Sequence, residues 1–139
     1  MNMNEQEKQE LYKAFVECFG IETVRSEGEN SYYVNVIAMG GLRSWSVVVE
    51  DYVYDNHLIL KAIKQYGIDI CWYGRYEEEE DICRVTGYSF EHDKCAFTEV
   101  GNDIDLLVMQ AVVAINKYEE TDANDEANTN DEANAHVTA

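Results

Sequence analysis

Leu11, Phe15, Cys18 and Phe19 recur at i, i+4, i+7 and i+8, the spacing that lines side chains along one stripe of a helix. The pattern predicts a helix over residues 4–19, stopped by Gly20. Ile21 to Arg25 reads as a short strand, and SEGEN (26–30) is turn chemistry. The period then shortens to two. SYYVNVIAM (31–39) is β-branched and aromatic and predicts a strand. Gly40-Gly41 suits a hairpin turn, and RSWSVVVEDY (43–52) is the returning strand. Trp45, Val47 and Val49 share one face of that strand and Val48 lies on the other, so cover on both sides is expected.

Helical spacing returns at His57 to Tyr66, where Leu58, Ile59, Ala62 and Ile63 form the stripe. Asp55 or Asn56 can cap this helix and Gly67 ends it. IDICWYG (68–74) sets Ile68, Ile70 and Trp72 against Asp69, Cys71 and Tyr73, an alternation that predicts a strand. ICRVTGYSF (82–90) and KCAFTEV (94–100) read as a hairpin around Glu91-His92-Asp93. Asn102 or Asp103 caps a last helix over 103–118. Its wide stripe of Ile104, Leu107, Val108, Ala111, Val112 and Ile115 should lie flat on a sheet. The expected fold is α+β, one domain over residues 1–118 with a small antiparallel sheet of about five strands packed with three helices.

After Tyr118 the pattern fails. Residues 119–139 have no aromatic residue and repeat NDEAN at 124–128 and 130–134, so a disordered acidic tail is expected. Charge adds to this picture. The chain carries 28 acids and 10 bases, a net of −18. Seven acids and no base lie in 119–139, which leaves 21 acids against 10 bases, −11, for residues 1–118. Such a field disfavours direct contact with nucleic acid or an anionic membrane and favours a basic partner. MNMNEQEKQE at the start has no apolar segment, and no run approaches the roughly 18 apolar residues of a span. A cytoplasmic protein is expected.

Candidate chemistry is sparse. Nucleophilic catalysis needs a nucleophile, a base and an orienting group in reach. The histidines are His57 at a helix start, His92 in a turn and His136 in the tail, and no GxSxG elbow is present. No enzyme is expected. Cys18, Cys71, Cys83 and Cys95 form no CxxC pair and read as reduced thiols. Cys83, His92 and Cys95 lack a fourth zinc ligand. A calcium loop counted from Asp122 would place Ala127 and Ala133 where glycine and glutamate are needed. Gly40-Gly41 is no phosphate cradle. Neither metal nor cofactor is expected.

The segment DNHLILKAIKQYGIDICWYG, a hairpin, and then FTEVGNDIDLLVMQAVVAINKY resembles the phage ABA sandwich domain, a small family of bacteriophage proteins. The resemblance covers about Asp55 to Tyr118 and rests on a short helix ending in glycine before a strand, and an apolar C-terminal helix after a capped turn. It implies a phage origin, hence the cytoplasm of a host cell, and no catalytic residues.

One stretch stands apart: GRYEEEEDI (74–82), with Glu77, Glu78, Glu79, Glu80 and Asp81 in succession. Residues two apart in an extended chain are separated by about 6.5–7 Å. That approaches the phosphate spacing of one nucleic-acid strand, since a duplex carries one charge per about 1.7 Å of axis over two strands. Tyr76, Glu50, Asp51, Tyr54 and Asp55 add acids and an interface-prone ring type nearby in sequence. The expectation is a binding protein that imitates nucleic acid with carboxylates and blocks a host defence protein, such as a CRISPR effector or restriction enzyme. The alternative is an accessory phage protein that works by ordinary surface recognition or as a homodimer, with its charge incidental.

Overall fold

The structure is a computed structural model that describes residues 3–25, 31–73 and 82–120. Helix α1 spans Glu5–Glu17. Asn4 caps it: its Oδ1 accepts from the Glu7 amide at 2.8 Å, and its Nδ2 donates to the Glu7 carboxylate at 2.9 Å. Leu11 and Phe15 of the expected stripe are buried, joined by Tyr12 and Val16, while Cys18 and Phe19 pack at its margin.

Three strands follow, β1 (Val24–Arg25), β2 (Tyr32–Ala38) and β3 (Arg43–Val48), paired antiparallel in that order. β1 is shorter than Ile21–Arg25. The β2–β3 link is a single 3₁₀ turn, Met39–Gly41, in which Met39, Gly40 and Gly41 all have positive φ. The two glycines adopt that conformation without the Cβ clash that Met39 bears.

The expected strand over 43–52 is corrected here. β3 stops at Val48, and Val49–Asp55 is a helix, α2. VVVEDYVY is rich in β-formers, yet Val49 and Val53 are one helical turn apart and both fully buried. Glu50 and Asp51 in the first turn suit the positive end of the helix dipole. The second helix, α3, is Leu58–Tyr66. Neither expected N-cap serves it. Asp55 ends α2, and Asn56 caps the C-terminus of α2, donating from Nδ2 to the Tyr52 carbonyl at 3.0 Å. His57, in a left-handed conformation, makes the corner. Gly67 ends α3 as expected, with φ of 61°.

The second sheet is a meander of β4 (Asp69–Tyr73), β5 (Ile82–Ser89) and β6 (Lys94–Gly101). The fold is therefore α+β, with two three-stranded antiparallel sheets among the described residues in place of one sheet of about five strands, and a fourth helix. β3 feeds a helix, so it never pairs with β4. On β5, Cys83, Val85, Gly87 and Ser89 are buried and alternate with more exposed residues. The last helix, α4, is helical over 104–120 and lies across them. A Cβ on Gly87 would stand 3.0 Å from Ile115 Cδ1 and 3.2 Å from Ala111 Cβ, so α4 approaches closely. Residues 119 and 120, expected in the tail, belong to this helix, and Glu119 accepts from the buried Ser89 hydroxyl at 3.2 Å. The expected tail over 121–139 lies outside the described residues. Buried side chains from all four helices, β2 and β5 form one cluster. Among the described residues no helix is long and apolar enough to cross a membrane.

Candidate functional site

Glu77, Glu78, Glu79, Glu80, Asp81 and Tyr76 lie outside the described residues. The rest of the expected site falls on α2, where Glu50, Asp51, Tyr54 and Asp55 are all exposed. Glu50 and Tyr54 are one turn apart and share a side. That side meets groups from two other elements. Tyr12 of α1 donates to Glu50 Oε1 at 3.5 Å, and its ring meets the Tyr54 ring edge-on at 6.5 Å between centroids. Tyr54 donates in turn to Asp105 Oδ2 at 3.1 Å, in the first turn of α4. Asp103 fulfils the expected cap of α4, accepting from the Leu106 amide at 3.2 Å.

Burial raises the pKa of both phenols above the ordinary tyrosine value, more strongly at Tyr12. Negative charge adds to the effect: Glu50 and Asp103 at Tyr12, Asp105 and Asp103 at Tyr54. The two hydroxyls therefore stay protonated well past neutral pH and act as donors that fix carboxylates in place. This group was not visible as a unit in the sequence. Tyr12 interrupts no stripe, and Asp103 and Asp105 in NDID read locally as a helix start.

The face is negative and uncompensated. Lys8 pairs with Glu5 at 3.9 Å and Lys13 with Glu17 at 2.8 Å. Among the described residues no ion pair involves Glu50, Asp51, Asp103 or Asp105. The carboxylates are spread rather than convergent, and no three His, Cys, Asp or Glu among the described residues are gathered to hold a metal. Of the thiols considered for zinc, Cys83 is buried under α4, whereas Cys95 is exposed and donates to the Phe97 carbonyl. Such an arrangement can hold cations at a distance and offers planar rings between them. Comparison with known proteins finds no matching family model, no matching curated protein and no matching solved structure.

Proposed function

We propose that this is a non-enzymatic binding protein that docks on a basic, nucleic-acid-binding protein and holds carboxylates where phosphates would sit. The observation that carries the reading is that Glu50, Tyr54, Tyr12, Asp103 and Asp105, from three helices, lie along one face whose carboxylates have no ion pair among the described residues. Charge pairs with Lys and Arg of the partner supply steering, and tyrosine rings supply contact area. The acids at 77–81 extend the same chemistry. The partner class that follows from the phage resemblance is a host defence protein of the CRISPR-effector or restriction type. The test is inhibition of DNA cleavage by such enzymes across a salt series. Inhibition should weaken steeply with salt, and the variant E50Q/D105N combined with neutral residues at 77–81 should lose it while remaining folded. Equal inhibition by the neutralised variant rejects the reading.

A second reading has its own support. Ile37 is 70% exposed, Met39 68% and Leu42 86%, all at the tip of the β2–β3 hairpin. An apolar tip of this kind suits recognition or self-association without charge. Light scattering across the same salt series separates the two, since a salt-insensitive dimer supports the apolar contact.

A further inference from the structure

Beside the acidic face, β6 and α4 part to leave a pocket of about 150 Å³, open on one side. β6 is an edge strand, and Phe97, Glu99 and Gly101 sit on the side of it that faces the helix, opposite Gly87, Val85 and Cys83 of β5. Phe97, Leu106 and Leu107 give the pocket apolar walls. Glu99 and Asp103 give it carboxylates, and among the described residues no Lys or Arg lines it. Among the described residues the Glu99 side chain has no hydrogen-bond or ion-pair partner. Gln110 reaches Met3 Sδ at 3.6 Å across one margin.

We infer that this pocket takes an arginine side chain of the partner, its stem on the apolar walls and its guanidinium between Glu99 and Asp103. The inference deepens the binding role proposed above and rests on it for the partner, but the pocket chemistry stands on its own. An apolar cavity of roughly this volume suits a group about the size of benzene. Arginine combines an apolar stem with a planar, weakly hydrated cation that also stacks on rings such as Phe97. The start of α4 opposes a cation through a dipole equivalent to roughly +0.5 charge. Two full carboxylate charges outweigh it. Lysine fits less well, because its compact ammonium keeps its water more tightly.

The test uses the full chain with labelled methyl groups, titrated with N-acetyl-arginine methylamide and with the lysine and norleucine analogues. Saturable shifts are expected at the Leu106 and Leu107 methyls, with a Kd on the order of 1–10 mM, as for a ligand of few atoms. Arginine should bind at least about threefold tighter than norleucine, and Glu99→Gln should remove most of that margin while leaving norleucine unchanged. No saturable shift at these methyls overturns the assignment. So does equal binding of arginine and norleucine, or indifference to Glu99→Gln, which would leave Glu99 as a charge that guards an open strand edge. Because no partner protein is present, failure here is distinct from failure of the inhibition assay.

Discussion

The two sheets are built alike and treated differently. Each is a three-stranded antiparallel meander, yet β5 lies under α4 with four residues alternately buried, while β2 is buried only at its base, at Tyr32 and Val34. Beyond Val36 and its partner Trp45, the first sheet projects Ile37, Met39 and Leu42 into solvent. Covering one sheet frees the edge beside it to carry a site, because α4 anchors both the acidic face and the pocket to a packed core. A bare hairpin offers apolar area without such anchoring. The contrast assigns scaffold to one sheet and reach to the other.

The sharpest way to break the contrast is to overfill the covered sheet. Gly87→Val places a branched side chain against Ile115 and Ala111 at distances already short for a single Cβ. A loss of about 3 kcal/mol is expected in urea unfolding, the upper end for overpacking, because α4 must lift along its length. A loss below about 1 kcal/mol would mean that α4 slides freely and does not fix the face.

Alkaline pH separates the regions next. Cys18 sits at the core margin, and burial first, then the charges of Glu17 and Glu120, push its thiol from 9.0 up to about 11. The folded thiol holds its proton more tightly than the unfolded one. Its contribution to stability is therefore complete below pH 9 and is lost as pH rises through about 11. Tyr12 and Tyr54, raised for the same reason, extend the loss upward. The urea midpoint should fall between pH 9 and 11, and Cys18→Ala should flatten the first part of that fall. A midpoint that holds steady to pH 11 contradicts it.

How far these features were readable follows the range of the interactions that make them. The 82–101 hairpin and the apolar stripe of α4 follow from local alternation and spacing, which β5 and the helix over 104–120 carry plainly. α2 was hidden, because VVVEDYVY satisfies strand preference residue by residue and only the burial of Val49 and Val53 together decides for helix. The split into two sheets depends on whether β3 meets β4, a choice no local pattern encodes. The site divides in the same way. Glu50 and Tyr54 stood out as an acid and a ring close in sequence, but Tyr12 and Asp105 join them only after the chain has closed on itself.

Within the acidic face, the two phenols should differ. Tyr12 is buried and Tyr54 is partly exposed. Tyr12→Phe should cost about 1 kcal/mol and Tyr54→Phe about 0.5 kcal/mol, the usual range for a hydroxyl that exchanges water for a protein acceptor. Because both hydroxyls fix carboxylates, the double variant should also weaken partner binding more than its stability loss explains. Unaltered binding would detach the phenols from the site.

The smallest stability effect belongs to the bare hairpin, and it decides what that hairpin is for. Leu42 is 86% exposed, so replacing it with serine removes little buried area. Stability should stay within about 0.5 kcal/mol, the range for surface positions away from caps and strained turns. An apolar tip that contributes nothing to the fold and nothing to solubility should still have a use elsewhere. If L42S leaves inhibition intact across the salt series, the covered sheet alone supports recognition. If it abolishes a salt-resistant remainder of binding, the two sheets divide one interface, carboxylates from the first turn of α4 for steering and the hairpin tip for apolar contact.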